Sequence, residues 1–154
     1  MFARASEAGK IYSIDVNPSA FRFMQQNVRL NRVYTRVIPM KRDAREVIKK
    51  KLGCVADRVL MPLPEKAFEY LPCALSVLKE TGGWIHYYDS EYARKSENPV
   101  EKVKLKVAEE LESLGVIFSF SFGRVVRTTG PNWYQVVLDI KLDVYGNKRK
   151  RRVS

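Results

Sequence analysis

Stretches that read as buried strands alternate with stretches that read as amphipathic helices along most of this chain. Alternation of that kind restricts the fold to the α/β class, with a mostly parallel sheet carrying helices on both faces. Lys10–Val16 reads as a strand rich in β-branched and aromatic side chains. Pro18–Asn31 follows as a helix, with Phe21, Met24 and Val28 on one face. Val33–Met40 is a second strand, Arg45–Leu52 a short basic helix stopped at Gly53, and Asp57–Met61 a third strand ended by Pro62-Leu63-Pro64. Helical spacing returns over Glu65–Lys79, where Pro72 either kinks the helix or begins another, and Gly82-Gly83 turns the chain into strand Trp84–Tyr88. Asp89–Asn98 is polar and reads as a loop. Pro99–Leu114 carries a clear apolar stripe of Val100, Val103, Val107, Leu111 and Leu114. Val116–Val126 and Trp133–Val144, on either side of Thr128-Thr129-Gly130-Pro131, read as an antiparallel hairpin. The predicted order is β-α-β-α-β-α-β-α-β-β. Residues 1–144 form one domain in this reading, and 145–154 a disordered basic tail.

The first strand ends in Asp15 and runs into a helix opened by Asn17 and Pro18. Asn17 supplies an acceptor for the orphan N–H groups of the first turn, and Pro18 lacks one of those N–H groups. A carboxylate at the carboxyl end of a parallel strand lies where open α/β sheets bind ligands, and it can take both hydroxyls of a ribose. It can equally serve only to cap the helix after it. Asp43, which follows the second strand, can likewise simply cap the helix after it.

Charge narrows the partner. Lys plus Arg total 28 against 17 Asp plus Glu, a net charge of +11. The tail supplies five of those charges, and subtracting them from +11 leaves a basic body at +6. A field of that sign favours nucleic acid or an anionic membrane surface. No apolar run is long enough to span a bilayer and none at the N-terminus has the form of a secretory signal, so a soluble cytoplasmic protein is expected. Cys54 and Cys73 are too few for a disulfide framework or a metal site, and both are expected to pack as small hydrophobes.

The segments Tyr12–Pro18, Asp43-Ala44-Arg45-Glu46-Val47, Asp57–Pro64, Gly83–Tyr88 and Gly130–Asp139 succeed one another at characteristic spacing. As a set they resemble the archaeal and eukaryotic tRNA (guanine(37)-N1)-methyltransferases, over Lys10 to about Leu142. The resemblance implies a Rossmann-like methyltransferase fold, S-adenosylmethionine as methyl donor with no metal, and tRNA as partner. It implies that Asp15 and Val16 hold the donor ribose, that Asp43 accepts from the adenine amino group, and that Ala44 offers backbone contact. With the whole set in order, the donor-binding reading of both aspartates is the one favoured. Pro62 stands on the donor side where the family usually has the Asn of Asn-Leu-Pro, and it offers only a carbonyl. Arg124 and Arg127, on the hairpin, either contact tRNA phosphate or line a solvated strand face.

The family's fold begins with a further strand, a Gly-rich turn and a helix. Only Met1-Phe2-Ala3 resembles the end of that strand, and a crossover unit takes roughly 10–12 residues. The expectation is therefore an N-terminally truncated, carboxyl-terminal part of such an enzyme, whose general base lies outside this segment. The strand at Lys10–Val16 would then pair beside Asp57–Met61 or leave an uncovered edge. Two other readings stand: an aminocarboxypropyltransferase of the wybutosine pathway, and a non-catalytic RNA-binding remnant. His86 is read as a hydrogen-bonded core histidine, and the pairs Tyr87-Tyr88 and Trp133-Tyr134 as packing residues.

Overall fold

The computed structural model describes residues 7–143; the predicted tail at 145–154 lies outside them. The chain divides between Lys51 and Leu52 into two compact units. The first contains β1 (Ile11–Asp15), α1 (Pro18–Leu30), β2 (Val37–Lys41) and α2 (Ala44–Lys51). β1 and β2 form a two-stranded parallel sheet, with Ile11 opposite Val37 and Asp15 opposite Lys41. Among the described residues β2 keeps an open edge, a position that tolerates the missing N–H of Pro39. Helix α1 starts as the sequence predicts: the Asn17 side chain accepts from Ser19 N at 2.9 Å and Ala20 N at 3.4 Å. Its inward face, Phe21, Met24 and Val28, is only half-buried, and no residue of the helix is fully buried. Ser13 Oγ donates to Met24 Sδ at 2.7 Å, tying α1 to β1.

The second unit contains β3 (Arg58–Met61), α3 (Ala67–Val77), β4 (Gly83–Tyr92), α4 (Pro99–Ser113), β5 (Phe118–Gly130) and β6 (Trp133–Leu142). Its sheet has the order β3-β4-β6-β5; β3 and β4 are parallel, and β6 is antiparallel to both neighbours. One face of that sheet is covered by α3 and α4. Leu71 and Leu75 of α3 and Val103, Val107 and Leu111 of α4 pack in one core with Ile85, Tyr87, Val136, Leu138 and Ile140. These side chains occupy the helix and strand positions that a 3.6- or 2-residue repeat assigns to the interior, and none is more than 3% exposed. Helix α4 approaches β5 closely at Gly123, where an added Cβ would lie 2.9 Å from both Leu138 and Val100.

The element order matches the predicted one, but several sequence-based expectations need correction. Six strands form two sheets rather than one, and only the β1–β2 and β3–β4 ladders are parallel. Of the two outcomes expected for β1, pairing beside β3 or an uncovered edge, the second is found: β1 and β3 both keep an open edge among the described residues. Residues 33–36 are a turn, closed by Arg36 N and Val37 N donating to Val33 O, with Arg32 at φ 54°. Asp89–Tyr92 continues β4 instead of beginning a loop, because β6 pairs with it up to Tyr92 opposite Trp133. Cys54 is exposed, at φ 54°, rather than packed as a small hydrophobe. Helix α3 runs through Pro72 without ending.

Candidate functional site

The two aspartates singled out by the sequence come together at one rim. Parallel pairing places the carboxyl ends of β1 and β2 side by side, and Arg42 N donates to Asp15 O at 3.1 Å. Asp43 therefore lies two residues beyond the position opposite Asp15, on the same rim. Each carboxylate closes the turn after its strand. Asp15 Oδ1 accepts from Asn17 N at 2.8 Å, and Asp43 Oδ1 accepts from Arg45 N at 2.8 Å. Both capping readings are thus real, and neither excludes a second role. Among the described residues, Asp15 Oδ2 accepts no hydrogen bond, so one carboxylate oxygen remains available at the rim. Val16 follows it with 63% exposure, and Ala44 is the first residue of α2, half-buried. These four residues belong to the first unit. A carboxylate held by its own following turn, with an acceptor to spare beside exposed backbone, suits a vicinal diol such as a ribose.

Beyond Asp43 the rim becomes cationic. Pro39, Met40, Lys41, Arg42, Glu46, Val47, Lys50 and Lys51 line a cleft of about 240 Å³ between the end of β2 and α2.

Pro62, Arg124 and Arg127 belong to the second unit. Pro62 is exposed directly after β3. Arg124 and Arg127 are three residues apart, a spacing that would send them to opposite faces of a regular strand. A register shift between Val125 and Arg127 sets them opposite Val137 and Gln135, so both occupy the face away from the core. Arg127 Nε donates to Gln135 Oε1 at 2.8 Å; both arginines are exposed.

Two polar constellations in this unit were not resolved by sequence reasoning. His86 bridges three strands: its Nδ1 donates to Asp139 Oδ1 at 2.6 Å and its Nε2 accepts from Arg58 Nη1 at 3.1 Å. Guanidinium only donates, so these partners fix the neutral Nδ1–H tautomer. His86 is hydrogen-bonded as expected, but it lies on the face of β4 opposite Ile85 and Tyr87 rather than in the core. On the covered face, Asp89 is the buried charged residue of the described chain. Its Oδ2 accepts from Tyr87 Oη at 2.8 Å and lies 2.6 Å from Lys106 Nζ. Glu91 extends the network to Lys106 and Lys102, at 3.5 and 3.6 Å. Burial first, and then the neighbouring Asp89 carboxylate, push the Tyr87 hydroxyl above its ordinary pKa, so it stays a neutral donor. The signal that locates Asp89 is the two-residue period Ile85, Tyr87, Asp89, once the strand is extended past Tyr88.

A family model described as the TRM5/TYW2 methyltransferase domain matches residues 1–116. The tRNA 4-demethylwyosine(37)-methyltransferase Taw21 of Saccharolobus solfataricus is 39% identical over 131 residues, which cover 85% of this chain and 45% of the relative. The crystal structure of Trm5b from Pyrococcus abyssi matches with a TM-score of 0.74 at 28% identity, over 88% of this chain and 38% of that one. TYW2 from M. jannaschii, solved in complex with AdoMet, matches with a TM-score of 0.72 at 31% identity, over 92% of this chain and 61% of that one. The chain therefore spans less than two thirds of each of these relatives. Their likeness establishes the Rossmann-like α/β methyltransferase fold that the element order implied.

Proposed function

The chain belongs to the TRM5/TYW2 methyltransferase domain family, and from that membership we propose that it holds S-adenosylmethionine at the β1–β2 rim and serves methyl transfer to the nucleoside at position 37 of tRNA. The observation that carries this reading is the pair of carboxylates at adjacent strand ends, one of them with a spare acceptor oxygen. Asp15, positioned by Asn17 N, takes the ribose hydroxyls through Oδ2, and Val16 lines the same exposed edge. Asp43 accepts from the adenine amino group while its turn presents the backbone of Ala44. Once bound, the donor supplies a sulfonium methyl group, and the residues of this chain contribute its orientation. At the finer level, the acceptor atom is N1 of guanosine, and Pro62 offers its carbonyl on the donor side. The activity belongs in the cytoplasm, with tRNA.

A second reading concerns the acceptor base. The 39% identical relative is named for methylating 4-demethylwyosine at position 37, and the matched TYW2 carries the other half of the family name. Two experiments test the donor site and separate the readings of the acceptor. Calorimetry of the chain with S-adenosylmethionine is expected to give saturable binding that Asp15→Ala weakens about 10- to 100-fold, the worth of charge-assisted hydrogen bonds to two hydroxyls. Equal binding by wild type and Asp15→Ala would remove the rim from the donor site. Donor labelled separately in methyl and in aminocarboxypropyl carbons, incubated with guanosine-37 or 4-demethylwyosine-37 tRNA, reports which group moves and to which base. Transfer of side-chain label overturns methyl transfer.

A further inference from the structure

The net positive charge of the chain is not spread over its body. Residues 7–51 carry eleven Lys and Arg against four Asp and Glu, whereas residues 52–143 carry eleven against thirteen. Five of the eleven cations in residues 52–143, Lys79, Lys102, Lys104, Lys106 and Lys141, lie within 4.0 Å of carboxylates. By contrast Lys41, Arg42, Lys49, Lys50 and Lys51 are exposed and enter no ion pair among the described residues. Lys41 and Arg42 lie at the end of β2, on the rim that carries Asp15 and Asp43; α2 runs from that rim to Lys49, Lys50 and Lys51 in its last turn, and Lys41, Arg42, Lys50 and Lys51 line the 240 Å³ cleft.

We propose that this cationic rim, rather than the β5–β6 hairpin, is the surface through which the chain grips RNA phosphate. The choice of RNA rests on the function proposed above; the location rests on the charge. Three lysines in the last turn of α2 do complement the helix dipole, but that effect fades within one turn and says nothing of Lys41 and Arg42 beyond the helix. A membrane surface fits less well. A helix that lies on lipid needs an exposed apolar face, whereas Val47 of α2 is buried and the exposed positions are Arg45, Glu46, Lys49, Lys50 and Lys51. What remains on offer is charge without an apolar anchor, which matches a phosphate backbone.

The test is equilibrium binding of the full chain to unmodified tRNA, measured between about 50 and 200 mM salt. K49Q/K50Q/K51Q is expected to lower the slope of log affinity against log salt by about 2, at roughly 0.7 for each phosphate no longer neutralised. K41Q/R42Q, which lies outside the helix, is expected to lower the slope by about 1 to 1.5. R124Q/R127Q is expected to change it by less than about 0.5. Circular dichroism verifies that each variant is folded. A slope unchanged in both rim variants, or no salt-dependent RNA binding by the wild type, overturns the inference. So does stronger lysine-dependent binding to phosphatidylserine vesicles than to tRNA. Donor calorimetry reads the methyltransferase assignment separately: donor binding lost in Asp15→Ala with RNA binding unmoved by the rim variants sinks the surface and leaves the function standing.

Discussion

The two units of this chain solve the same problem, covering a parallel β-ladder, with very different resources. The second unit closes four strands under two helices and removes Leu71, Ile85, Tyr87, Leu111, Leu138 and Ile140 from solvent. In the first unit, two strands of five residues carry a helix with no fully buried side chain, and only Val33 and Val47 are fully buried among the described residues. A two-stranded sheet is marginal in water, and parallel ladders are ordinarily covered on both faces. Charge divides along the same line. The described part of the first unit is cationic, with exposed lysines that enter no ion pair among the described residues; residues 52–143 of the second are slightly acidic, with five lysines paired to carboxylates. Stability is thus concentrated in one unit, and the features proposed for ligand binding in the other. Local opening free energies are expected to be lowest where ligands bind, and here that means β1 and β2.

Four measurements probe the contrast. Leu71→Ala removes a side chain with no solvent exposure from the core of the second unit and should cost about 2–5 kcal/mol in urea unfolding. Met24→Ala, its half-buried counterpart in α1, should cost about 1 kcal/mol. Equal losses would erase the distinction between the units. Asp89→Ala leaves the Tyr87 hydroxyl without its acceptor and Lys106 without its closest carboxylate. A destabilisation of about 1–3 kcal/mol is expected, reduced from the fully buried case because Lys106 keeps partial solvent access.

The Tyr87 hydroxyl supplies a pH test. Its folded pKa is raised above the ordinary value of 10.0, chiefly by burial. Its contribution is therefore complete below about pH 10. It declines as pH rises further, by about 1.4 kcal/mol per unit while only the unfolded chain ionises. Urea titrations at about pH 9 and 11 should show that Tyr87→Phe loses less stability over this interval than wild type. An identical loss in both would assign the alkaline decline to other groups. The smallest effect compares like with like. Asn17 caps α1 and Asn98 caps α4 by the same two-bond geometry, so each Asn→Ala change should cost about 1 kcal/mol. Hydrogen exchange should then show the Asn17→Ala loss in α1 and β1 alone, with β4 and β6 unchanged from wild type.

Much of the candidate site was legible because its signals are local. Asn17 and Pro18 announce a helix start through hydrogen bonds that span three residues. A strand that ends in Asp15 and a turn that begins at Asp43 then place two carboxylates at strand ends before any partner is known. The charge total was legible as well, but not its division. The +6 left after removing the tail reads as a basic body, whereas the structure confines the positive excess to the first unit.

The sequence by itself determined the order of elements, the cap of α1 and the chemistry offered at the ends of β1 and β2. All of these depend on periods of two or 3.6 residues and on hydrogen bonds between near neighbours. Only the tertiary structure decided that the strands divide into two sheets, that β4 runs on to Tyr92 and buries Asp89, and that a bulge brings Arg124 and Arg127 to one face. Each of those outcomes depends on which distant strand supplies the next row of N–H and C=O groups, and no local period encodes that choice.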